Sequence, residues 1–126
     1  MKRIMLVRHA KSSWKHGDIS DFDRPLNDRG EHDLLLMGER CKESGIVPDA
    51  IYSSPAVRAT TTAVGLARAI GFSEEGIQFA QEMYMANEYV LYELLHTMSN
   101  EFDTVMLVCH NPGITFFLNH VSNATV

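Results

Sequence analysis

Two short, unbroken apolar runs constrain this chain most: Ile4-Met5-Leu6-Val7 near its start and Val105-Met106-Leu107-Val108-Cys109 near its end. Apolar runs of this length, rich in branched residues and without alternation, suit strands covered on both faces, as in a parallel sheet. Ala50-Ile51-Tyr52 and Ile77-Gln78-Phe79 are weaker strand candidates. Helical patterns fill the intervals, and the alternation of strand and helix predicts an α/β domain with a mostly parallel sheet.

The helices carry their own punctuation. Asn27 or Asp28 caps one that runs to about Ser44, with Gly45 as its stop and Leu34, Leu35, Met37 and Cys41 on its buried face. Ser54-Pro55 opens a second, ending at Ile70-Gly71, with Val57, Thr61, Val64 and Ala67 sharing a face. A third spans Glu88 to Met98, with Tyr89, Tyr92 and Leu95 in period. Pro112-Gly113 opens a fourth through Phe116, Phe117 and His120. The longest loop runs from Ala10 to Leu26.

At 126 residues the chain is expected to form one domain, residues 1–126, large enough to bury a core without a disulfide or metal staple. No apolar run approaches the ~18 residues of a membrane helix. Only four apolar residues follow Met1-Lys2-Arg3 before Arg8, so a signal peptide is not expected. Two cysteines, Cys41 and Cys109, make no disulfide framework, and a cytoplasmic location is expected. The net charge of −5 argues against nucleic acid or an anionic membrane as partner. Yet residues 1–16 hold Lys2, Arg3, Arg8, Lys11 and Lys15 and no acid. Charge alone reads this as a solvated surface.

Position adds what charge does not. Ligands of open α/β sheets bind beyond the C-terminal ends of the strands. Arg8-His9 follows the first strand, Ser53-Ser54-Pro55 and then Arg58 follow the second, and His110-Asn111-Pro112-Gly113 follows the last. Each residue singly reads as an ordinary polar loop or surface residue. Together, two histidines and two arginines at one sheet edge, beside helix N-termini, suit a dianion such as phosphate. A cysteine phosphatase loop is excluded for Cys109, because no Arg or Lys follows Arg68. A P-loop is absent. Asp21-Phe22-Asp23 lacks a preceding apolar strand and reads as loop. Converging arginines make a metal ion unwelcome. Histidine remains as the nucleophile: neutral His9 attacks phosphorus, Arg8 and Arg58 keep it neutral, and a protonated His110 adds positive charge. Cys109 reads as a buried, inert thiol, and Trp14, Met83 and Met85 as packing or rim residues.

The ordered set Arg8-His9-Ala10-Lys11-Ser12-Ser13-Trp14, Asp23-Arg24-Pro25-Leu26 with Arg29-Gly30, Ser53-Ser54-Pro55-Ala56-Val57-Arg58-Ala59 with Thr62, and His110-Asn111-Pro112-Gly113 resembles the histidine phosphatase superfamily, specifically its small SixA-type phosphohistidine phosphatases. The resemblance implies a three-layer, phosphoglycerate-mutase-like fold and catalysis without metal or cofactor. It implies phosphorylation of His9, with Arg8, Arg58 and His110 completing the phosphate pocket. Lys11 and Ser12, in the same stretch, join these as substrate-binding candidates. Glu82 falls about where the superfamily places a general acid, against a plain surface carboxylate as the other reading. Ala10 replaces the glycine common in the wider superfamily. Relatives continue past the last helix to a further strand, so either the chain continues beyond the Ser122-Asn123-Ala124-Thr125-Val126 tail or its sheet lacks an edge element. The expected substrate is phosphohistidine in a protein, releasing inorganic phosphate. The alternatives are a small phosphate ester or a non-catalytic phosphate-binding module.

Overall fold

The computed structural model describes residues 3–14, 18–98 and 100–122. Lys2, Lys15 and the tail from Asn123 lie outside these. Four parallel strands form one sheet in the order β1-β4-β2-β3: β1 (Arg3–Arg8), β2 (Ala50–Ser53), β3 (Gln78–Phe79) and β4 (Thr104–Cys109). Helices α1 (Asp28–Ser44) and α2 (Val57–Ile70) pack on one face, and α3 (Glu88–Thr97) and α4 (Gly113–Ser122) on the other. This is the expected α/β architecture with helices on both sides of a parallel sheet.

Strand β4 divides the core. Val105, Leu107 and Cys109 point into a cluster with Leu91, Leu94, Ile114 and Phe117, while Met106 and Val108 point into one with Ile51, Ala59, Ala63 and Leu66. Alternation of side chains along a strand produces this two-sided burial, so the unbroken apolar run is fully buried. The β1 run is only half-buried, because β1 pairs with β4 alone among the described strands.

Asn27 is the N-cap of α1. Its Oδ1 accepts from the Gly30 N–H at 2.7 Å, and Gly45 at φ 71° ends the helix. One residue of the expected α1 face departs from it, and the covered faces of α2 and α3 are now defined. Leu35 is 70% exposed, while Leu34, Met37 and Cys41 are half-buried. The buried face of α2 is Arg58, Ala59, Thr62, Ala63, Leu66 and Ala67, and Thr61 is exposed. Small alanines let α2 lie close to the sheet, and its buried polar residues serve the strand ends. The helix begins at Val57, two residues later than the Ser54-Pro55 signal suggests. In α3, Leu91 and Leu94 are buried and Tyr89 and Tyr92 exposed. The aromatic period marks the outer face, since aliphatic side chains alone meet the Met83 and Phe117 cluster.

Candidate active site

Register places the site. Arg8 is level with Cys109 and Ser53 with Val108, so His9, Ser54 and His110 emerge together from three adjacent strands. The backbone continues the ladder one step, with His9 N–H donating to Cys109 O at 3.1 Å and Ser54 N–H to Val108 O at 2.9 Å. The helices that follow β1 and β2 lie on one face and the helix after β4 on the other, which opens a crevice at this edge. A cavity of about 610 Å³ occupies it.

The loop after β1 is fixed by the elements around it. Ala10 N–H donates to Thr62 Oγ1 at 3.0 Å, and Asn27 N–H donates to Lys11 O at 2.9 Å. Asn27 Nδ2 also donates to Ser12 O at 3.3 Å, so the cap of α1 ties down the segment that carries Lys11 and Ser12. A Cβ on Gly30 would collide with the Lys11 carbonyl oxygen, and one on Gly113 with that of Ala86. Both glycines are required for backbone to approach backbone beside the cavity.

The cavity gathers Arg8, His9, Lys11, Ser12, Arg58 and His110, six of the seven sequence candidates. Glu82 is the exception. It sits in a 3-10 turn, Gln81–Met83, and lines a different groove with Asn87, Tyr89 and Glu93 of the α3 segment. The turn buries Met83 inward, which turns the preceding side chain outward. The expected general acid therefore does not face the anion cavity.

His9 Nδ1 lies 2.7 Å from the Ala10 carbonyl oxygen. A carbonyl only accepts, so Nδ1 carries the proton and the lone pair of the neutral ring sits on Nε2. Burial holds the His9 imidazole below its ordinary value, and the Arg58, Arg8 and Arg24 charges push the same way against the Ala10 hydrogen bond. The His110 ring stands with its centroid 5.2 Å from that of His9. Its Nε2 is 2.7 Å from Ser54 Oγ, and its Nδ1 is buried without a partner. Burial, then Arg58 and His9, hold His110 down to about 4. Burial and the neighbouring cations thus oppose the protonated His110 expected from the sequence, because removing a ring from water beside positive charge disfavours a further charge.

Three residues of the site were not singled out from the sequence as ligands. Arg24 joins the cavity, with Nη1 donating to Ser12 Oγ and its guanidinium 3.7 Å over the Trp14 ring. Asp21 lies between the arginines, 3.0 Å from Arg24 Nη2 and 3.0 Å from Arg58 Nη2. Tyr84 Oη donates to the same Asp21 carboxylate at 2.6 Å and its ring stacks edgewise on His110. The Tyr84 hydrogen bond, with those of Arg24 and Arg58, holds the Asp21 carboxyl far below the usual range, although partial burial opposes this. The pairing with Asp21 in turn pushes the Tyr84 phenol up. Arg24 had a signal, since it stands in the Asp23-Arg24-Pro25-Leu26 stretch. Asp21 had only a loop reading, and Tyr84 none.

The remaining expectations resolve simply. Trp14 and Met85 are exposed at the cavity rim and Met83 is core. Burial pushes the Cys109 thiol up to about 12, which leaves it inert at neutral pH. Among the described residues no cluster of three His, Cys, Asp or Glu could hold a metal ion, and no helix is long and apolar enough to cross a membrane. Chemically, the cavity presents four cationic side chains and one ionised carboxylate around a neutral imidazole with a free Nε2 lone pair.

Known proteins resemble this chain in sequence and in fold. The family model of the histidine phosphatase superfamily (branch 1) matches residues 4–87. A crystal structure from Agrobacterium tumefaciens, assigned as a phosphohistidine phosphatase SixA, superimposes with a TM-score of 0.87 at 33% identity, covering 96% of this chain and 77% of that one. The protein histidine phosphatase SixA complexed with tungstate gives 0.86 at 19% identity, over 97% and 78% of the two chains, a likeness of fold. An uncharacterized chloroplastic protein of Arabidopsis thaliana is 29% identical over 133 residues, 99% of this chain and 61% of that protein. The chain thus spans about three-fifths of that curated relative.

Proposed function

Because this chain belongs to the histidine phosphatase superfamily, we propose that it is a phosphatase acting through a phosphohistidine intermediate on His9, without a metal ion, on phosphohistidine carried by a protein. The observation that carries the reading is the His9 ring: Nδ1–H is held by the Ala10 carbonyl at 2.7 Å, which leaves Nε2 as the nucleophile. In the first step Nε2 forms a bond to phosphorus while the bond to the leaving nitrogen or oxygen breaks. In the second, water attacks the phosphoryl group, the P–Nε2 bond breaks, and inorganic phosphate leaves. Arg8 and Arg58 stabilise the charge on the equatorial oxygens. His110 lines the same cavity, and a bound dianion raises the affinity of its ring for a proton.

The preference for phosphohistidine rests on the proton inventory. An alkoxide leaving group needs a proton, and a positioned acid is worth ~10²–10⁴ in rate. The one carboxyl among the described cavity residues, Asp21, is held ionised by Tyr84 and two arginines and has no proton to give. A phosphohistidine takes the proton on its other ring nitrogen from solvent, near the imidazole value of about 6.5, so it departs as a neutral imidazole and needs far less help from a positioned acid. The name carried by the Agrobacterium relative agrees with this substrate. The cavity rim formed by exposed Trp14 and Met85 admits a protein side chain and a small phosphate ester alike, so the small ester stays as the alternative. A reducing, cytoplasmic compartment suits the two free thiols, Cys41 and Cys109.

The deciding experiment compares phosphate release from a phosphohistidine protein domain, an aryl phosphate and an alkyl phosphate, each with EDTA present. The reading expects the first to be fastest and the alkyl ester slowest, with no loss to the chelator. Equal rates on alkyl and histidyl phosphates would replace the protein substrate by a small ester, and loss of all activity to EDTA would end the metal-free mechanism.

A further inference from the structure

Asp21 occupies the arginines that a phosphoryl group would use. Arg58 Nη1 donates to the Asp21 backbone carbonyl at 2.6 Å and Nη2 to its Oδ2 at 3.0 Å, so both ends of the fork are engaged by one residue. Arg24 Nη2 donates to Asp21 Oδ1 at 3.0 Å while Nη1 is held by Ser12. The Nε of each arginine is buried with no partner. The two guanidinium groups are thus satisfied at their tips by a carboxylate and left with unused donors behind.

The two sides of this contact differ in freedom. Arg58 is fixed in the first turn of α2 with its side chain 3% exposed, whereas the Asp21 side chain is 44% exposed and belongs to the loop before Arg24. The carboxylate can leave the arginines without opening the core, and the arginines cannot leave the cavity. A carboxylate brings one negative charge to these cations and a phosphate monoester brings two.

We propose that Asp21 is a resident counter-anion and a specificity-determining residue, which competes with the phosphoryl group for Arg58 and Arg24 and sets how weakly the site retains anions. The inference rests on the phosphate reading of this cavity. Its functional sense lies in product release. Phosphate left among Arg8, Lys11, Arg24 and Arg58 has no internal competitor other than this carboxylate among the described lining residues. Return of Asp21 to the guanidinium tips replaces the contacts that the departing phosphate gives up. The same competition favours dianionic monoesters and phosphoramidates over monoanionic diesters, which match only the charge already present.

The test is calorimetric binding of inorganic phosphate to the whole chain, with product inhibition of aryl phosphate hydrolysis measured in parallel. Asp21→Asn keeps the shape and removes the charge, and Asp21→Ser serves in its place if the asparagine protein does not fold. Either is expected to bind phosphate about two- to fivefold more tightly, the scale of one partly exposed charge pair, and to be inhibited by phosphate at correspondingly lower concentration. Asp21→Glu is expected to return binding toward the native value. If the native chain binds phosphate and the neutral variants bind it no more tightly, Asp21 only positions the arginines and the inference fails alone. If neither binds phosphate, the phosphate reading of the cavity fails and takes the inference with it.

Discussion

The rings of His9 and His110 stand 5.2 Å apart, centroid to centroid, with their planes at 56°, although the two residues come from opposite ends of the chain. Adjacent parallel strands bring them together, because Arg8 and Cys109 are level in the ladder and the next residue of each strand is a histidine. At that spacing one phosphoryl group can touch both rings.

His9 is expected to carry the phosphoryl group. Rapid-quench trapping with a labelled substrate should give a phosphoenzyme that is stable in base and labile in acid, as a phosphoramidate is. His9→Ala should show neither label nor turnover while keeping its native circular dichroism. An acid-stable adduct would move the nucleophile to another residue.

Arg58 and His110 should act in the transition state. Loss of one preorganised donor typically costs ~10²–10³ in rate. Arg58→Ala and His110→Ala are each expected to lower kcat on that scale in steady-state assays. A raised KM with kcat unchanged would assign the residue to binding alone.

The pH dependence has a definite sign. His9 must be neutral to attack, and its imidazole is held below the ordinary value of 6.5. A profile of kcat/KM against pH should therefore stay level as pH falls to 6.5 and drop only at lower pH. Stability follows the same direction through His110, held down to about 4 in the fold. The unfolded chain binds the extra proton between about 6.5 and about 4, so stability is complete above that window and falls as pH descends through it. Thermal unfolding across this range, with His110→Gln as comparison, should show a shallower loss in the variant.

Glu82 should be dispensable. It lines the α3 groove and not the anion cavity. For Glu82→Gln, plots of rate against leaving-group pKa are expected to run parallel to those of the native chain. A steeper slope in the variant would restore Glu82 as the general acid.

Gly30→Ala should damage the site from a distance. The new Cβ collides with the Lys11 carbonyl oxygen, in the segment that Asn27 ties to the head of α1. A steric insertion of this kind costs about 1–3 kcal/mol. Chemical denaturation is the measurement, and a loss below about 0.5 kcal/mol would show that the loop yields without strain.

Much was legible in the sequence because its causes are local. Apolar runs end where a strand leaves the sheet, so Arg8-His9 and His110 could be placed at one edge before any coordinates. Asn27 and Gly45 marked the ends of α1 because capping depends on a few adjacent atoms. Periodicity in α2 and α3 did not say which face is covered, since that depends on the partner a helix meets, and here alanines and leucines meet the sheet while Thr61, Tyr89 and Tyr92 stay exposed. Tertiary structure alone decided the charge states and the occupant of the arginines. Whether His110 carries a proton depends on how much water and how many cations surround it, and Asp21 meets Tyr84 across 63 positions of chain. Spacing along a sequence records hydrogen bonds and burial within an element. Desolvation and charge pairing are sums over everything nearby in space, and the fold has to bring those groups together before the sum exists.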